Sequence, residues 1–171
     1  MYRRRWCIGI CIITITLLYI WNNSLQSAIK SNEQSEIVLD VIVNVFRTPP
    51  LDTEEAQFIV RKVAHISEFA LLGLEMALLL FHTGKMYRQN LEGVLFIGLV
   101  SAVIDETIQI FSQRGSQVVD IWIDFAGFTM GVGIGLIAHA LHCRLVVHLR
   151  KQKHTTINNK HVCQYSNPRG S

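Results

Sequence analysis

Apolar residues in this chain come in long blocks parted by short polar intervals, and the block lengths predict helices rather than strands. The first block, Trp6 to Trp21, is uninterrupted and follows Arg3, Arg4 and Arg5. Its sixteen residues are short for a span, which takes roughly 17–25. Flanking tryptophans and snorkelling arginines make up the difference. No A-x-A cleavage site follows, only Asn22-Asn23-Ser24-Leu25-Gln26-Ser27, so the block reads as an uncleaved first transmembrane helix.

Ser35 to Arg47 is apolar except for a stripe of Glu36, Asp40, Asn44 and Arg47, a helical spacing. It is too short to span and is expected to lie at the interface as an amphipathic helix, ended by Pro49-Pro50. Asp52 or Thr53 caps the next helix, predicted from Glu54 to about His82. Arg61, His65, Glu68 and Glu75 fall on one face of it, within about 80° of arc at 100° per residue. Leu91 to Phe111 is the third predicted span, with Ser101, Asp105, Gln109 and Ser112 on one stripe and Glu106 on its shoulder. The short link Ser112 to Gln117 makes the third and fourth helices antiparallel neighbours. The fourth span is expected over about Val118 to Leu141. Asp120 and Asp124 lie on the same face as Gly127, Gly131 and Gly135, a doubled small-xxx-small pattern suited to close helix packing.

The predicted fold is therefore all-α: an integral membrane bundle of four transmembrane helices plus one short amphipathic interfacial helix. Its expected parts are residues 1–21 (first helix with its Arg cluster), 22–60 (an extracytoplasmic segment holding the 35–47 helix), 61–141 (a three-helix membrane core) and 142–171 (a basic tail). Composition agrees. The 171 residues are 50% hydrophobic and 17% charged, against about 25% charge in a typical soluble domain. Charge distribution sets the orientation. Eleven basic residues (Arg3, Arg4, Arg5, Lys85, Arg88 and six from Arg144 onward) fall on one side and five (Lys30, Arg47, Arg61, Lys62, Arg114) on the other. The positive-inside rule then puts both termini in the cytoplasm.

The chemistry lies in the acids. A carboxylate in hydrocarbon costs roughly 2.5–3.5 kcal/mol on insertion scales, yet Asp105, Glu106, Asp120 and Asp124 sit within the most apolar half of the chain. Counted from the helix ends, these residues, Gln109, and His65 with Glu68 all fall within about 10 Å of one membrane boundary. Three helices thus place ionisable groups at one level. The plainer reading is that such groups only tie helices together, and it suits Glu75. It suits the cluster less well, because Glu68, Asp105, Glu106, Asp120 and Asp124 outnumber Arg61, Lys62, His65 and Arg114. The four cysteines form no CxxC pair, and no HExxH motif, phosphate loop or nucleic-acid motif is present. No cofactor, metal or nucleic-acid partner is expected.

The stretches RKVAHISEFALLGLEMALL and DETIQIFSQRGSQVVDIWIDFAGFTMGVGIG resemble the VanZ-like family of small multi-pass bacterial membrane proteins. The likeness covers about Arg61 to Ala140. Lys62, His65 and Glu68 match a K-x-x-H-x-x-E-like helix start, and Glu106 with Gln109 matches E-x-x-Q. Arg114-Gly115 followed by Asp120 and Asp124 matches R-G then D-x-x-x-D, with Gly127 and Gly131 after them. The resemblance implies a plasma-membrane protein acting at the cell envelope; the family's named member lowers susceptibility to the glycopeptide teicoplanin.

Three functions compete. A binder or modulator would hold an envelope lipid, a lipid-linked precursor or a lipophilic antibiotic through Lys62, His65, Glu68, Glu106, Gln109, Arg114, Asp120 and Asp124, with the bilayer as constant partner. An intramembrane enzyme acting on a lipid-linked substrate would use His65 or Glu106 as general base, Asp120 and Asp124 to hold a divalent cation and Arg114 for phosphate, with Glu68, Asp105 and Gln109 as further candidates. A structural bundle would use the cluster only as scaffold. The binder or modulator ranks first.

Overall fold

The computed structural model describes residues 2–25, 37–38, 53–82, 88–112 and 117–165. Four long helices carry them: α1 (Tyr2–Ser24), α2 (Thr53–His82), α3 (Arg88–Phe111) and α4 (Val118–Tyr165). No strand occurs among the described residues. All four contain a stretch long and apolar enough to cross a membrane: Trp6–Ser24, Glu55–His82, Asn90–Phe111 and Val118–Leu149. The amphipathic helix expected over 35–47 lies outside the described residues except for Ile37 and Val38, which are helical.

Two helix C-termini differ from the sequence reading. α1 does not end at Trp21 but continues through Asn22, Asn23 and Ser24. These polar residues complete the length that the sixteen-residue apolar run lacked. α4 runs on to Tyr165 instead of stopping near Leu141. Between Gly135 and Pro168 there is neither glycine nor proline to break it.

The chain divides into two units, Met1–Gly135 and Leu136–Ser171. The first is the bundle. Phe69 and Leu72 of α2, Ala102 of α3, Phe128 of α4 and Ile20 of α1 form its buried centre. Many large apolar side chains point outward instead, among them Leu18, Phe96, Phe111, Trp122 and Met130. So much exposed apolar surface is a liability in water and ordinary against lipid. In the second unit, the helix carries Cys143 Sγ 3.5 Å from His139 Nε2, one turn apart and exposed.

Side-chain pairs set the directions of the helices. Thr16 and Asn23 of α1 meet Glu75 and Glu68 of α2, so these two helices are antiparallel. α2 and α4 run the same way: Lys62 meets Asp120, Ile66 meets Gly127 and Ala70 meets Gly131. The last two contacts are backbone against backbone. A Cβ at position 127 would lie 2.6 Å from the Ile66 carbonyl oxygen, and one at 131 would fall on the Ala70 carbonyl. Only glycine permits this approach. On the other side of α4, the Phe128 ring covers Gly98 of α3.

This packing makes a paired expectation. Gly131→Ala must displace the Ala70 backbone and should destabilise the bundle by about 1–3 kcal/mol, as overpacking does. Gly133 has open space around it, so Gly133→Ala should be neutral or stabilising, by up to about 1 kcal/mol from helix propensity. Denaturation of the purified protein in detergent reads both; equal effects would contradict the seam.

Candidate functional site

Polar residues from all four helices meet at one end of the bundle. α1 contributes Asn23 and Ser24 at its C-terminus. α2 contributes Lys62, His65 and Glu68, and α3 contributes Asp105, Glu106 and Gln109 within two turns of its C-terminus. α4 contributes Asp120 and Asp124 in its first two turns. The up-and-down order of the bundle brings these ends together.

Asp105 lies at the centre and is fully buried. Ser24 donates to its Oδ1 at 2.7 Å, and Gln109, one turn along α3, donates to its Oδ2 at 2.9 Å. Ser112 donates to the Ser24 carbonyl oxygen at 2.9 Å, closing the end of α3 over the end of α1. Nearby, Asn23 donates to Glu68 Oε1 at 2.9 Å. Glu106, also buried, accepts the Gln117 backbone N–H at 2.7 Å, so the acid on α3 anchors the entry to α4. Lys62 pairs with Asp120 and rests its ammonium 5.0 Å from the centre of the Phe58 ring.

His65 faces two acids. Its Nδ1 is 3.8 Å from Asp105 Oδ2 and 4.0 Å from Asp124 Oδ1. Asp124 is buried, and among the described residues its Oδ2 has no hydrogen-bond partner; the same holds for Glu106 Oε2. The site therefore combines buried carboxylates, a partly exposed imidazole and one lysine–aspartate pair. It offers hydrogen-bond acceptors and negative charge to a cation or a polar headgroup.

Each residue singled out in the sequence has a definite place except Arg114, which with Gly115 lies outside the described residues. Lys62, His65, Glu68, Asp105, Glu106, Gln109, Asp120 and Asp124 fall at the same end of the bundle. Gly127, Gly131 and Gly135 continue along α4, where a Cβ at 135 would lie 2.6 Å from that of Ala77. Asp120 and Asp124, grouped as a cation pair in the enzyme reading, have separate neighbours: Asp120 takes Lys62, and Asp124 faces His65. Glu75 stands apart, accepting from Thr16 at 3.0 Å. Asn23 and Ser24, expected in a polar segment outside the bundle, instead end α1 and join the site. The signal available was their position, directly after an apolar run too short to span alone.

Ser24 gives a direct test of this geometry. Ser24→Ala removes the donor to a fully buried carboxylate and should destabilise the bundle by about 1–3 kcal/mol. In a double-mutant cycle with Asp105→Asn the two effects should be non-additive. Additive losses would mean that the two side chains do not touch.

Comparison with curated proteins finds no match, and comparison with solved structures finds none. The family model described as VanZ/LLP1 matches residues 6–139. That range takes in α1 as well as the three helices on which the sequence resemblance rested. With four helices long and apolar enough to span a bilayer, and this match over most of its length, the chain is a multi-pass membrane protein that belongs to the VanZ/LLP1 family.

Proposed function

We propose that the protein is a bacterial plasma-membrane protein that modulates susceptibility to glycopeptides of the teicoplanin kind or to other envelope-active compounds. In this reading both termini are cytoplasmic and the polar site opens toward the outer face. There it holds a cationic or hydrogen-bonding group of an envelope lipid or a lipophilic antibiotic. The observation that carries the reading is the meeting of Asp105, Glu106, Asp124 and His65 from three helices at one end of the bundle. Buried carboxylates are an expensive way to join helices that a glycine seam already joins. The excess of basic residues at the termini and the α2–α3 link supports the orientation.

A second reading has one observation in its favour. A histidine facing two carboxylates is the arrangement of an oriented general base, which suits an intramembrane enzyme acting on a lipid-linked substrate.

Complementation separates these. A knockout strain would carry wild type, Glu106→Gln or Asp124→Asn, with membrane protein level measured beside susceptibility to teicoplanin and cationic peptides. A binder should accumulate normally and lose protection in part, since about 1.4 kcal/mol lost at the site is about tenfold in affinity. Complete loss at normal level would favour the enzyme. Full complementation, or loss that tracks protein level, would refute a working site.

A further inference from the structure

Most acids at the site are supplied with donors. Asp105 accepts from Ser24 and Gln109, Glu106 from the Gln117 backbone and Asp120 from Lys62. Asp124 differs. It is only 2% exposed, and its Oδ2 meets no donor among the described residues. A buried carboxylate oxygen in that state is costly. It lies on a helix whose position the glycine seam fixes, so it has little freedom to turn toward water.

The surroundings of Asp124 name what it would accept. His65 Nδ1 stands 4.0 Å from Asp124 Oδ1 and 3.8 Å from Asp105 Oδ2. Both separations are too long for hydrogen bonds. One donor atom from each of the three residues lies within 4.8 Å of the other two. Donors that share one cation at about 2.0–2.3 Å stand about 3–4.5 Å apart. The two His65 separations fall in that range, and the third is no more than 4.8 Å, so a shift of a few tenths of an ångström closes the three side chains on one ion. Charge agrees, because the Asp105 and Asp124 carboxylates together match one divalent ion, while Glu106 accepts the Gln117 N–H and Lys62 is engaged with Asp120. The bonds from Ser24 and Gln109 hold the Asp105 carboxylate in orientation, as outer partners of metal ligands do. The His65 side chain is 15% exposed and those of the two aspartates 3% or less, so the group is more open on the His65 side.

We propose that His65, Asp105 and Asp124 bind one divalent cation of the zinc or manganese class, the class that a mixed imidazole and carboxylate set favours. Three protein donors leave positions for an oxygen atom of a bound ligand. The cation would sit in the site of the proposed function and rests on that reading only for this last role. Metal binding is measured without any susceptibility phenotype, so the two fail separately.

The test uses the full chain, purified in detergent without a polyhistidine tag. It carries His139→Ala and Cys143→Ser, because that exposed pair would take zinc by itself. Calorimetric titration with Zn²⁺ and with Mn²⁺ should find one site. Asp124→Asn and His65→Gln should each weaken it by at least the roughly 10–100-fold that loss of an outer partner costs. Glu75→Gln, away from the three ligands, should bind as the parent does. Pulsed electron paramagnetic resonance of Mn²⁺ on the parent protein should show coupling to one imidazole nitrogen, a readout that needs no ligand variant. Failure of the parent to bind either ion, binding by the ligand variants equal to the parent's, or bound Mn²⁺ without nitrogen coupling would each overturn the proposal.

Discussion

The contact on which the rest depends is the backbone approach of α4 to α2. Gly127 and Gly131 lie against the carbonyls of Ile66 and Ala70, closer than any other residue would allow. Association of helices in lipid draws on packing and polar contacts, because lipid is as apolar as leucine. Close approach therefore does two things at once. It supplies the packing, and it sets the register of two parallel helices. With Gly127 at Ile66, Asp124 one turn before it comes to His65, and Asp120 one turn earlier comes to Lys62. The polar site is a consequence of the seam.

A second constraint acts on the acids. Asp105 and Asp124 are almost wholly buried within spanning helices. A group that expensive persists where its surroundings answer it. For Asp105 the answer comes from Ser24 of α1, 81 positions away in the chain, and from Gln109 one turn along. For Asp120 it comes from Lys62. Asp124 keeps a buried oxygen with no hydrogen-bond partner among the described residues, and it faces the imidazole. The distribution of donors is thus uneven, and the unevenness marks where a ligand has something to gain.

Much of this was legible in the sequence, for identifiable reasons. Helical spacing alone puts His65 and Glu68 on one face, and Asp105 and Gln109 on another. The short 112–117 link makes α3 and α4 neighbours, and counting from helix ends puts their acids at one level. The doubled small-xxx-small pattern marks which face of α4 packs closely. What periodicity could not supply is which side chain meets which across helices. Asn23 and Ser24 carry no periodic signal, since they follow the apolar run and look like the start of a loop. Their side chains meet Glu68 on α2 and Asp105 on α3. Asp120 and Asp124 look like a pair because they are four residues apart, yet each faces a different residue of α2. The continuation of α4 to Tyr165 was readable from the missing helix breakers, but the fall in hydropathy after Leu141 drew the boundary early.

The central claim is that α1 closes the site by bringing Ser24 to Asp105. It is tested most directly by thiol cross-linking in native membranes. Ser24→Cys and Asp105→Cys would be combined in a protein whose Cys7, Cys11, Cys143 and Cys163 are replaced, then treated with a short bifunctional thiol reagent. The expected result is rapid intramolecular linkage for this pair and none for Ser24→Cys with Glu75→Cys. Equal linkage of both pairs, or none for Ser24 with Asp105, would contradict the convergence of the four helices.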